Sequence, residues 1–135
     1  MKRKLLVIAA LSAMAAPQIG IASDDTTALK AKLQASMQRE VDRRLIEGAL
    51  VNIDLQTGDA TRLYPVEAHP MILSMGDDGN HFVLCSDLKN SAGQSTTVDY
   101  YMARNGNRFS IVRTEINNRA PLKALMSQGK VAHLE

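Results

Sequence analysis

Residues 29–55 read LKAKLQASMQREVDRRLIEGALVNIDL, and the hydrophobic period changes partway along this stretch. Up to residue 45, large apolar side chains recur at every fourth position, which is the spacing of one face of an α-helix. These side chains are Leu29, Leu33, Met37, Val41 and Leu45. From residue 51, apolar and polar side chains alternate, as in a strand with one buried face. The stretch therefore predicts an amphipathic helix over residues 26–47, a stop at Gly48, and a first strand over residues 51–55 whose apolar side chains, Val51, Ile53 and Leu55, share one side.

Beyond residue 55, short apolar runs alternate with turn sequences, and no helical pattern separates them. Turn-forming residues dominate residues 56–59, 76–80 and 104–107, the last of which contains the Asn-Gly pair typical of a hairpin. The predicted strands between and after these turns span residues 61–64, 69–75, 81–86, 96–103 and 108–116. Parallel neighbours need a crossover of roughly a dozen residues or more, so these strands are predicted to be antiparallel.

The last part of the chain predicts a second, shorter helix over residues 120–128. Asn118 is its predicted N-cap, Pro121 lies in its first turn, and Gly129 follows its end. Residues 131–134 are predicted to add a short strand or to form a loose tail. Together these elements predict an α+β fold, in which an N-terminal amphipathic helix packs on an antiparallel meander of about five or six strands and a short helix follows.

The first 23 residues have the pattern of a cleavable secretory signal peptide. They begin with a basic segment at residues 2–4 and continue with an apolar segment at residues 5–16. That apolar segment is shorter than the roughly 20 residues that a membrane-spanning helix needs. The predicted cleavage site follows Ala22 or Ser23. We therefore expect one domain over residues 24–135, exported to the periplasm or secreted from a bacterium, with no membrane anchor after cleavage.

Removing the predicted signal peptide reverses the net charge of the chain. The full sequence has 16 Lys and Arg against 14 Asp and Glu, whereas residues 24–135 have 13 against 14, a net charge of −1. Because a basic excess is missing, a nucleic-acid partner is not expected. Within residues 24–135, the only dense group of basic residues consists of Arg39, Arg43 and Arg44.

Sulfur- and imidazole-bearing residues flank the turn at residues 76–80. They are His69, Met71, Met75, His81 and Cys85. The first three would share one side of a strand and the last two one side of the next strand, which the turn would bring alongside. Thioether, thiolate and imidazole are the ligands that copper(I) selects, so these residues predict a copper-binding or redox-carrier site as one alternative. The other interpretation requires no cofactor, because Met and unpaired Cys are common core residues.

Catalytic signatures are weak in this sequence. It contains no phosphate-binding loop, nucleophile elbow, zinc-protease motif or paired Cys-x-x-Cys. Cys85 with His81 or His69 could form a thiolate–imidazole pair. However, Cys85 lies in the apolar run of residues 81–85, where burial raises the pKa of a thiol, and we favour its interpretation as a small buried hydrophobe. An envelope enzyme is therefore the second alternative function.

Alternation in the strands places aromatic and charged residues on the face of the sheet that the N-terminal helix does not cover. These residues are Tyr64, Asp99, Tyr101, Arg113 and Thr114. Tyr and Arg are enriched at protein interfaces, and a sheet covered by one helix leaves its other face to solvent or to a partner. We therefore expect a small exported binding or accessory protein whose exposed sheet face engages an envelope protein or a small ligand, with a homodimer as an open alternative.

Overall fold

The computed structural model describes the backbone of residues 21–135 and the side chains of residues 24–135. The elements in chain order are α1 (Ile21–Asp42), β1 (Leu50–Ile53), β2 (Ala60–Met75), β3 (His81–Lys89), β4 (Ser95–Asn105), β5 (Arg108–Ile116), α2 (Ala120–Ser127) and β6 (Val131–His133). The predicted α+β class is confirmed. The predicted signal peptide lies outside the described residues except for residues 21–23, of which only the helical backbone is described.

The strands form one antiparallel meander in the order β1-β2-β3-β4-β5. The sixth strand, β6, pairs with the end of β2, where Leu73 lies opposite His133. Strand β2 is thus shared: its first residues pair with β1, its last residues pair with β6, and β3 runs along its other side. Of the two alternatives predicted for residues 131–134, a short strand or a loose tail, the structure has the strand, β6.

The long strand β2 replaces the two strands predicted over residues 61–64 and 69–75. Pro65 was expected to end the first of these, but the strand continues through it. The pairing of β2 with β3 shifts register after Pro65 and again around Pro70. A proline lacks the backbone N–H that a regular ladder requires, so it is tolerated where the ladder is already irregular. The prolines therefore bend the strand instead of ending it.

Helix α1 lies on one face of the sheet, as its apolar stripe predicts. Leu33, Met37 and Val41 are buried against strand residues of the main core. The strand residues of that core are Leu63, Ile72, Phe82, Leu84, Leu88, Val98, Tyr100, Met102, Phe109 and Ile111. We call the face that carries them the inner face and the opposite face the outer face.

Helix α1 ends earlier than predicted, at Asp42 instead of residue 47. After Asp42 the chain tightens, since the Arg44 N–H donates to Val41 O at 2.9 Å, three residues back. Gly48 then takes a φ of 79° in the bend that leads into β1. The guanidinium of Arg44 reaches β5, where Nη2 donates to Ile111 O at 3.4 Å. The early end lets the chain reverse direction and begin the sheet beside the helix.

The sheet curls around α1. Leu50 of β1 and Ile116 of β5 both pack against the main core, although these strands are at opposite ends of the strand order. In a flat sheet they would be about 19 Å apart, because neighbouring strands are spaced by about 4.8 Å. A single groove is nevertheless lined by Asn52 of β1 and Thr114 of β5. The curl therefore brings the two ends of the meander toward each other across the helix.

Helix α2 covers the centre of the outer face. Its Leu122 is buried in a second apolar cluster with Leu73, Val83, Tyr101 and Val131. The expectation that one whole face of the sheet is uncovered is therefore wrong at the centre. The predicted cap is wrong as well: Arg119 occupies the N-cap position without a capping side-chain bond, whereas the Asn118 amide donates to Glu115 Oε2 at 3.0 Å.

Candidate functional site

A buried ion pair lies beneath the start of α2. Asp99, near the middle of β4, is fully buried, and its Oδ1 is 3.1 Å from Arg119 Nη2. The Arg119 Nε donates to Asp99 Oδ2 at 3.3 Å. Alternation along β4 turns Val98 and Tyr100 to the inner face, which leaves Asp99 on the outer face under the helix. The pair therefore connects α2 to the sheet, and only the Arg119 side chain, at 35% exposure, is open to solvent.

Cys85 lies directly opposite Asp99 in the pairing of β3 with β4. Its side chain is buried, and the Arg119 Nη2 lies 3.7 Å from Sγ as a hydrogen-bond donor. Burial raises the pKa of the Cys85 thiol, and the negative charge of Asp99 raises it further. The thiol is therefore held in its protonated, unreactive form. This placement confirms the interpretation of Cys85 as a buried residue.

We expect Cys85 in the folded protein to resist thiol reagents at pH 8, because the buried thiol is neutral and inaccessible. Reaction with Ellman's reagent should be at least tenfold faster after unfolding in urea. A Ser91→Cys variant provides the positive control, since Ser91 is exposed in the loop between β3 and β4. Native Cys85 reacting as fast as the introduced cysteine would contradict this assignment.

A second polar group on the outer face joins β2, β3 and β4. His69 Nε2 is 2.9 Å from Asp87 Oδ2, and the Thr97 hydroxyl donates to Asp87 Oδ1 at 2.9 Å. The hydrogen bond from His69 and the bond from Thr97 together hold the pKa of the Asp87 carboxyl below its usual range. Within residues 24–135, Asp87 is the side chain that orients the imidazole. The arrangement fixes the position of His69 beside Asp87, whereas the side chain that donates to the Cys85 thiol is Arg119.

The predicted metal ligands are spread along two strands. They are His69, Met71, Met75, His81 and Cys85. Met75 lies directly opposite His81 at one end of the β2–β3 pair, and His81 Nδ1 is 3.5 Å from Asp78 Oδ2. No three of the His, Cys, Asp and Glu side chains of residues 24–135 are close enough together to hold a metal ion. Copper binding thus stays a prediction.

Four of the five predicted binding residues, Tyr64, Asp99, Tyr101 and Arg113, share the outer face but differ in exposure. Tyr64 is 39% exposed, and Arg113 is exposed beside Glu115, whose Oε1 accepts from its Nε at 2.6 Å. Asp99 and Tyr101, which were expected to face solvent, are buried because α2 covers them. The expectation for Thr114 is also wrong: its position opposite Tyr100 places it on the inner face, 3.4 Å from the Arg44 guanidinium.

The exposed large apolar side chains are concentrated around the first hairpin, which β1 and the start of β2 form. Eight large apolar side chains are exposed among residues 24–135, and five of them lie between residues 46 and 66. These five, which we call the apolar hairpin end, are Ile46, Ile53, Leu55, Tyr64 and Val66. Ile53 is 58% exposed and Leu55 is 94% exposed.

The exposure of the hairpin end follows from the pairing of β1 with β2. Leu50 lies opposite Leu63, and both turn inward to the main core. Their neighbours therefore turn outward, so the apolar side that Val51 and Ile53 share faces away from α1. Tyr64 is a diagonal neighbour of Val51 on the same face, since Val51 pairs with Arg62.

Sequence reasoning missed the two residues that organise the outer face, Arg119 and Asp87. The available signal for the first was Asp99 itself, a carboxylate inside the apolar run Val98 to Met102, because a buried carboxylate needs a compensating partner. The identity of that partner was hidden, since Arg119 is 20 residues away in the sequence. Asp87 carried no comparable signal, because it lies in a polar segment at the end of β3.

No protein-family model matches the chain, and no curated protein or solved structure is significantly similar to it. Neither α1 nor α2 is long and apolar enough to cross a membrane.

Proposed function

We propose that the protein is a small exported binding protein that engages a protein partner through the apolar hairpin end. The supporting observation is that five of the eight exposed large apolar side chains of residues 24–135 gather there. Monomeric soluble proteins rarely expose large apolar patches, and such patches mark interaction sites. Export is part of the proposal and is supported by the signal-like sequence of residues 1–23.

The form of the hairpin end favours an extended segment of the partner. Within residues 21–135, strand β1 pairs with β2 on one side only, so the backbone N–H and C=O groups of its other side have no strand partner there and are available to a further strand. Val51 and Ile53 alternate outward along this edge, which provides contacts for alternate side chains of an added strand. Main-chain hydrogen bonds then supply affinity and the apolar side chains supply selectivity.

The proposal is tested first by site-specific photo-crosslinking in the native cells. A photoreactive residue in place of Leu55 should give a crosslinked species of higher mass, whereas the same residue in place of Met126 should not. Met126 is a matched control because it is also an exposed apolar residue, at 43%, but lies on α2. Crosslinks that form equally at both positions, or at neither, would contradict the proposal.

Affinity for the identified partner then provides the quantitative test. Ile53→Ser with Leu55→Ser should weaken binding by at least tenfold, because each truncated apolar anchor costs about 1–2 kcal/mol and a tenfold change is about 1.4 kcal/mol. The control pair, Val112→Ser with Met126→Ser, should bind as the native protein does. Sedimentation of the purified protein tests whether a second copy of the chain binds to the apolar hairpin end. If the native protein is a dimer, and the Ile53 and Leu55 changes abolish the dimer while the control pair does not, the proposal of a separate partner is refuted.

A further inference from the structure

A basic groove lies on the inner side of the molecule, between α1 and the start of β5. One wall is a single face of α1, formed by Ser36, Arg39, Glu40 and Arg43 at spacings of three and four residues. The other wall is the start of β5, with Arg108 and Phe109. The groove encloses about 220 Å³. That is the volume of about seven water molecules, which is enough for a phosphate group.

The charges that line this arginine groove do not cancel. Arg39, Arg43 and Arg108 face a single carboxylate, that of Glu40. Glu40 also forms an ion pair with Arg44, whose Nη2 lies 3.6 Å from Glu40 Oε2. Arg44 is not among the residues that line the groove. The groove thus has an excess of two positive charges, in a chain whose residues 24–135 sum to −1.

The guanidinium groups of the groove are largely uncommitted. Arg108 has no hydrogen bond or ion pair from its side chain to residues 24–135, and Arg39 donates only to Ser36 Oγ, at 3.2 Å. Arg43 is 67% exposed and 3.8 Å from Glu40. Arg104 shows the contrast, since it donates to Gly79 O at 3.0 Å and stacks 4.7 Å over the Phe109 ring. Within residues 24–135, the groove therefore holds guanidinium groups that keep N–H donors available for a ligand.

We propose that the arginine groove binds a phosphate group. A guanidinium presents paired N–H donors that match two oxygens of a phosphate, and several of them around one anion give both affinity and orientation. Ser36 is buried and holds the Arg39 side chain against the helix through its hydrogen bond. Arg39 therefore loses less conformational entropy when it binds a phosphate. Inorganic phosphate and the phosphate of a lipid headgroup share this chemistry.

The test is calorimetric titration of the signal-free protein, residues 24–135, with inorganic phosphate at constant ionic strength in chloride. We expect saturable binding of phosphate, and we expect Arg108→Ala and Arg39→Ala each to lower the affinity at least tenfold. Arg108→Lys should lower the affinity less than Arg108→Ala does, because lysine keeps the positive charge and loses only the paired N–H donors of the guanidinium. Arg113→Ala is the matched control: it removes the same charge from the outer face, where the side chain is 70% exposed, and should leave phosphate binding unchanged.

Co-sedimentation with vesicles distinguishes the two sources of phosphate. Binding to phosphatidylglycerol vesicles but not to phosphatidylcholine vesicles, lost in Arg108→Ala, would support a lipid headgroup at the groove. Binding of inorganic phosphate without vesicle binding would support a soluble phosphate compound. The proposal is overturned if neither probe binds, or if Arg113→Ala weakens binding as much as Arg108→Ala does. Circular dichroism of each variant confirms that the fold is retained.

Discussion

Replacing Arg119 by alanine is expected to destabilise the protein by about 3–5 kcal/mol, because the change leaves a buried carboxylate without its cation. Asp99 is fully buried, and Arg119 Nη2 is 3.1 Å from its Oδ1. The loss should lie toward the lower end, since the Arg119 side chain is 35% exposed and water can enter when it is removed. Urea unfolding followed by circular dichroism measures the free energy of unfolding directly.

Two further variants separate the buried charge from general effects of losing an arginine. Arg113→Ala breaks the exposed pair with Glu115 and should cost no more than about 1 kcal/mol. Asp99→Asn combined with Arg119→Ala removes the charge that Arg119 neutralises, and should recover part of the lost stability. A double variant less stable than Arg119→Ala alone, or an Arg119→Ala protein as stable as the Arg113→Ala protein, would show that charge compensation is not the role of Arg119.

Replacing Phe82 by alanine is expected to cost about 3–5 kcal/mol, through lost burial and the cavity left in the main core. Phe82 is 1% exposed, and its ring meets the Phe109 ring edge-on, with centroids 5.5 Å apart and an angle of 87°. Such a pair adds about 0.5–1.5 kcal/mol beyond area burial. The melting temperature and urea midpoint report the loss.

The control for this prediction is Val112→Ala on β5. Val112 is 65% exposed, so truncating it should change stability by no more than about 0.5 kcal/mol. Phe82→Leu keeps the site apolar and partly filled, and should fall between the native protein and the alanine variant. If Phe82→Ala and Val112→Ala unfold at the same urea concentration, the placement of Phe82 in the core is incorrect.

Local patterns predicted the elements whose signals are contained in a short stretch. The stripe from Leu29 to Val41 predicted which face of α1 is buried, because helical geometry alone determines which side chains share a face. Strand β5 matches its predicted bounds, since the Asn-Gly turn before it fixes where the hairpin reverses. Alternation also predicted that Tyr64 and Asp99 share one face of the sheet.

Burial on the outer face could not be predicted, because it depends on contacts between distant residues. Asp99 and Tyr101 are on the predicted face but are covered by α2, whose docking involves a contact 20 residues away. At β1 the alternation predicted which side chains share a side, but it did not determine which side is buried. Leu50 and Leu63 pack on the main core and leave Ile53 in solvent. The candidate binding site is therefore visible only after the pairing of β1 with β2 is known.

The bend in β2 also bears on how the protein avoids aggregation. Between the residues paired with β1 and those paired with β6, one edge of β2 is open within the described chain. Pro65 and Pro70 lie in this open segment and offer no N–H donor to an incoming strand, and the register shifts beside them distort the edge. Strand-to-strand association is thus disfavoured along this segment of β2, whereas β1 contains no proline and, within residues 21–135, has no strand partner on its other edge.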